Sequence, residues 1–91
     1  MYGARMDNII GECLLEARIT NGMSQSDLAI RAGVSVETIS RWENGKRTPR
    51  AGDIVTLSRV LGKTSDALLG LDQSFRPRKR SAVERLRMVT K

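Results

Sequence analysis

The feature that most constrains this chain is its punctuation. Gly22, Gly33, Gly45 and Gly62 are each followed within three residues by a hydroxyl side chain, in turn Ser24, Ser35, Thr48 and Thr64. A glycine that ends one helix and a residue that caps the next mark short helices joined by tight turns. The apolar residues agree. Ile10, Leu14 and Ala17, then Leu28, Ala29 and Ala32, then Ile54, Leu57 and Leu61 recur at helical spacing, and no alternation runs long enough for a strand. The first helix is expected from Asp7 or Asn8 to about Thr20. Ser24 and Asp27 form a capping box for a second over 25–32, and Ser35 caps a third over 36–44. Thr48 and Pro49 read as the cap and first residue of a fourth, because proline's missing N–H costs nothing there. It runs to Leu61, and Thr64 caps a last short helix over 65–69, closed by Gly70. The expected fold is all-α, with five helices.

Size and composition support a packed-helix core. Ninety-one residues suffice for one modest domain. Trp42, Tyr2 and Phe75 are the only aromatics, so Leu, Ile, Val and Ala must fill it. Composition also narrows the chemistry. With no histidine and one cysteine, Cys13, the chain lacks the usual general base and any cysteine–histidine metal set, and it reads as a binder, not an enzyme. No catalytic residue, metal or cofactor is expected. No apolar run approaches the roughly eighteen residues of a membrane span, and an unpaired cysteine fits a cytoplasmic protein.

The net charge of +6 points to an anionic partner, but its distribution is uneven. Residues 1–70 carry nine Lys or Arg against eight Asp or Glu, and residues 71–91 carry seven against two. The chain divides into an N-terminal arm (1–6), a folded domain (7–70), a basic linker (71–80) that includes Arg78-Lys79-Arg80, and a short amphipathic helix (81–91). Ser81 and Glu84 open that tail helix, and Val83, Leu86 and Val89 line one side of it.

The most informative stretch is 24–49, SQSDLAIRAGVSVETISRWENGKRTP. Two short helices about Gly33-Val34-Ser35 are what a helix-turn-helix needs, the first bracing the second. Ala29 suits the close approach of the two, and Val34 and Ile39 anchor the second to the core. Here the sequence resembles the Cro and phage-repressor-like helix-turn-helix family, also called the xenobiotic-response-element family. The matching residues include Ile10-Gly11, Arg18, Gly22, Ser24-Gln25, Leu28-Ala29, Gly33-Val34-Ser35, Thr38-Ile39-Ser40, Trp42-Glu43-Asn44-Gly45-Lys46, Pro49, Leu57 and Leu61-Gly62. Lys63 and Ala17 depart from the pattern. The resemblance implies a compact five-helix, lambda-repressor-like DNA-binding domain, here with a basic C-terminal tail.

It also implies roles. Val36, Glu37, Thr38, Ser40 and Arg41 face or flank base edges, and Arg41 suits bidentate bonding to guanine. Gln25, at the start of the second helix, bonds a phosphate, and Asn44, Lys46, Arg47 and Thr48 supply further phosphate contacts. Arg18 and Glu43 form a partly buried structural ion pair. Trp42, in register with Ile39, packs into the core.

The expected function is sequence-specific binding of double-stranded DNA by a transcription regulator, a repressor working as a homodimer on a palindromic operator. The region 63–71, with Leu69 and Leu71, and the tail helix are alternative sources of the dimer contact. The tail helix is expected to cover its apolar stripe on a partner subunit or on the first helix near Leu15 and Ile19; the alternative is a disordered basic arm held near DNA by charge. Two other readings stay open. One is an antitoxin or controller protein that binds DNA and, through the C-terminal helix, a protein partner. The other is an interaction module without DNA binding.

Overall fold

A computed structural model of the chain describes residues 2–72, with side chains from Ile9 onward. The linker beyond Asp72 and the expected helix over 81–91 lie outside the described residues. The fold is all-helical: α1 (Tyr2–Thr20), α2 (Gln25–Ala32), α3 (Val36–Glu43), α4 (Ala51–Leu61) and α5 (Ser65–Leu68).

The helix boundaries follow the caps. Ser24 Oγ accepts the Asp27 N–H at 3.0 Å and the Asp27 carboxylate accepts the Ser24 N–H at 3.1 Å, a reciprocal capping box that starts α2. Ser35 Oγ accepts the Thr38 N–H at 3.1 Å to start α3, and Thr64 Oγ1 accepts the Ala67 N–H at 3.1 Å to start α5. Gly33 closes α2 in the left-handed conformation, φ 72°. The Val34 N–H then bonds back to the Ala29 carbonyl at 3.0 Å, which folds the chain sharply between α2 and α3.

Four boundaries differ from the sequence expectation. Helix α1 begins at Tyr2, so residues 2–6 are helical where an arm was expected. Ala4, Arg5 and Met6 are strong helix formers and no proline precedes Asp7, so extending an existing helix outweighs a new start at Asp7 or Asn8. Helix α3 ends at Glu43, not Asn44, which is its C-cap at φ −93° and ψ 4°. Helix α4 begins at Ala51, after Arg50, instead of at Pro49. Pro49 is buried and belongs to the approach, while the Asp53 carboxylate accepts the Arg50 N–H at 3.0 Å and places the helix start there. Helix α5 stops at Leu68, with Leu69 as its cap.

The core joins Leu14 and Ala17 of α1, Leu28 and Ala29 of α2, Ile39 and Trp42 of α3, Leu57 and Leu61 of α4 and Leu68 of α5. Val34 and Ala32 pack against it half-buried. The small Ala17 is fully enclosed. Trp42 is buried, and its Nε1 has no hydrogen-bond partner among the described residues, so within them the ring contributes area and not its N–H. Asn21 donates to the Ala17 carbonyl at 2.8 Å and to the Leu61 carbonyl at 3.1 Å, tying the end of α1 to the end of α4. Among the described residues no helix is long and apolar enough to cross a membrane.

Candidate nucleic-acid interface

Helix α3 has a seated side and a free side. Ile39, Trp42 and Glu43 are buried. One helical step away, Val36, Glu37 and Arg41 are exposed and Ser40 is half-buried. These four recur at the spacing of one helix face.

The loop after α3 continues that face for a local reason. Gly45 takes φ 72°, its N–H bonds the Trp42 carbonyl at 3.2 Å, and the Lys46 N–H bonds the Arg41 carbonyl at 2.9 Å. This paired closure turns the backbone back over the last helical turn. The Arg47 N–H also reaches the Arg41 carbonyl, at 3.3 Å. Lys46 and Arg47 therefore leave the helix end beside Arg41, and both are exposed. Glu37, Ser40, Arg41, Asn44 and Lys46 line a single open concavity, so it brings together expected base-facing and phosphate-facing residues.

The remaining expected residues are placed less uniformly. The Thr38 hydroxyl lies 2.9 Å from that of Ser35 and is engaged in capping its own helix. Asn44 Nδ2 donates to the Ser40 carbonyl at 2.8 Å and to Ser40 Oγ at 3.3 Å. Thr48 is exposed. Arg50, absent from the expected set, is exposed just ahead of α4; a helix start at Pro49 would have put it inside a helix.

Behind the surface lies a buried polar cluster. Arg18 Nε donates to Glu43 Oε2 at 2.6 Å and Arg18 Nη2 to Glu43 Oε1 at 3.2 Å, a two-point pairing of guanidinium and carboxylate. Arg18 is 4% exposed and Glu43 1%. Arg18 Nη1 also donates to the Met23 carbonyl at 2.8 Å, in the turn before α2. Gln25, half-buried at the first position of α2, donates from Nε2 to Glu43 Oε1 at 2.9 Å. Sequence reasoning missed this bond, since nothing local to Gln25 announces a partner eighteen residues on.

A short helix seated by its inner face, braced through a tight turn and presented outward beside a basic loop, defines a helix-turn-helix DNA-binding domain. The chain belongs to the helix-turn-helix family, whose model matches residues 14–68. It is 44% identical over 46 residues, half of this chain, to the 26 kDa repressor protein of Escherichia phage HK022. It is 34% identical over 62 residues, 65% of this chain, to multiprotein-bridging factor 1c of Arabidopsis thaliana. The matched regions span 20% and 42% of those two proteins. No solved structure matches at a comparable level.

Proposed function

We propose that this protein is a double-stranded DNA-binding transcription regulator that acts as a repressor, with α3 in the major groove. The observation that carries the reading is the open face of α3, where Glu37, Ser40, Arg41, Asn44 and Lys46 converge while Ile39, Trp42 and Glu43 hold the helix from behind. Arg41 reads a guanine edge, Val36 meets a thymine methyl, and Glu37 accepts from a cytosine amine or repels misplaced phosphate. Thr38 and Ser40 flank these contacts. Gln25, Asn44, Lys46, Arg47 and Thr48 hold the phosphates and set the register. Repression needs only that the operator be occupied, and the likeness to a phage repressor protein supports it.

One helix reads too few base pairs to select a site in a genome, so the proposal includes a homodimer on a palindrome with half-sites about 34 Å apart. Leu71, 65% exposed, and the half-buried Leu69 are the proposed contacts. A second reading, a regulator that also engages a protein partner through residues 81–91, is favoured by the likeness to a multiprotein-bridging factor.

The test is binding to genomic fragments across a salt series, with wild type and Arg41→Ala. Wild type should select particular fragments and weaken steeply with salt. Arg41→Ala should lose about 1–3 kcal/mol of discrimination at one base position. A flat salt response without a preferred fragment refutes DNA reading in favour of an interaction module.

A further inference from the structure

We propose that Glu43 is a positioning residue for the phosphate contact of Gln25, so that the buried ion pair sets DNA affinity as well as stability. The inference rests on the preceding reading of Gln25 as a phosphate ligand.

Glu43 is a hub. Its Oε2 takes the Arg18 Nε at 2.6 Å, while its Oε1 takes both Arg18 Nη2 at 3.2 Å and Gln25 Nε2 at 2.9 Å. The carboxylate is 1% exposed, whereas Gln25 sits half-buried where α2 begins. One end of the Gln25 amide is therefore held from inside the protein. The amide is planar, so holding one N–H fixes the direction of the second, and neither that N–H nor the carbonyl has another partner among the described residues. A free glutamine would have to be ordered on meeting DNA, whereas this one is ordered beforehand.

Charge gives the arrangement its sign. A lone carboxylate behind Gln25 would repel a phosphate. Arg18 neutralises it through two bonds and, through Nη1, also pins the Met23 carbonyl in the turn that leads into α2 at 2.8 Å. The same contacts that join α1 to α3 thus orient the first side chain of α2. Glu43 touches no DNA and acts through Gln25.

The experiment is a double-mutant cycle on Kd for the preferred fragment, using wild type, Gln25→Ala, Glu43→Gln and the double variant. Gln25→Ala should weaken binding about fivefold, the usual worth of one hydrogen bond. It should leave the slope of log Kd against log salt unchanged, because a neutral amide displaces no counterion. Glu43→Gln should weaken binding too, but with little added effect once Gln25 is alanine. A Glu43→Gln penalty of equal size in both backgrounds would mean that it acts through the fold alone, and would overturn the proposal. If Glu43→Gln does not fold, the apolar pair Arg18→Met with Glu43→Leu replaces it in the same cycle. In wild type without DNA, 15N spectra should show one Gln25 side-chain amide proton exchanging more slowly than the other; equal exchange also overturns the proposal. The two readings fail differently. A wild type that binds no fragment defeats the proposed function itself, whereas a wild type that binds no better than Gln25→Ala defeats the Gln25 phosphate contact and with it the positioning role, and leaves DNA reading by α3 standing.

Discussion

Gly11 and Trp42 meet with no side chain between them. A Cβ at Gly11 would lie 2.6 Å from the Trp42 carbonyl oxygen and 2.7 Å from that of Glu43. Both obstacles are backbone, so neither can swing aside. The close crossing of α1 and α3 requires a glycine, and it brings Arg18 within reach of Glu43.

Gly11→Ala should therefore destabilise the domain by about 1–3 kcal/mol, as overpacking does, lowering Tm by about 4–8 °C for each kcal/mol. Gly52 is the control. It lies in α4, where an added Cβ would meet nothing within 4 Å, so Gly52→Ala should raise stability by roughly 0.5 kcal/mol through backbone entropy. Two melting curves decide the matter, and equal shifts would reject the crossing argument.

The Arg18–Glu43 pair should show strong non-additivity in urea denaturation. Removing either partner alone strands a buried charge, at a cost of about 3–5 kcal/mol. Replacing both with an apolar pair should cost less than either single change. Additive single losses would mean that the two groups do not depend on each other.

Asp27 links α2 to pH. Its carboxylate accepts from the Ser24 backbone and shares the Ser24 hydroxyl's cap, which holds its pKa below the ordinary 3.8. A depressed acid pKa stabilises the fold fully above 3.8 and loses that contribution as the pH falls through the folded value. Tm should drop on acidification, and Asp27→Asn should drop less over the same range. Parallel curves for the two proteins would exclude this carboxylate as a contributor.

Cys13 gives a readout of opening. Burial, with Glu12 and Glu16 adding to it, pushes the thiol from 9.0 up to about 11. The folded protein should keep it neutral and resist thiol reagents at neutral pH, labelling only as fast as the structure opens. The thiol's contribution to stability is whole below pH 9.0 and is lost as the pH rises towards about 11. Immediate labelling of the folded protein would contradict its enclosure.

How much could be read in advance depended on whether the cause was local. Helix α2 was legible to the residue because Ser24, Asp27 and Gly33 act within one turn of their targets. The starts of α1 and α4 were not. Propagation from Tyr2 overrode an adequate cap at Asp7, and Pro49 went into the interior, leaving the Arg50–Asp53 bond to begin α4. The inward register of Ile39 and Trp42 followed from spacing. The bond from Gln25 to Glu43 did not, since it exists only once α1, α2 and α3 have packed together. The crowding at Gly11 is equally tertiary, and only the family resemblance flagged that residue.

The two-sided build of α3 separates what the helix is for from what keeps it in place. Its exposed positions, Val36, Glu37 and Arg41, lie on the side away from the core, whereas the half-buried Ser40 accepts a hydrogen bond from the C-cap Asn44. On the proposed function, exchanging these three exposed residues should change which base pairs are preferred and leave the melting behaviour almost untouched, which would make this short segment a replaceable reading head on a permanent mount.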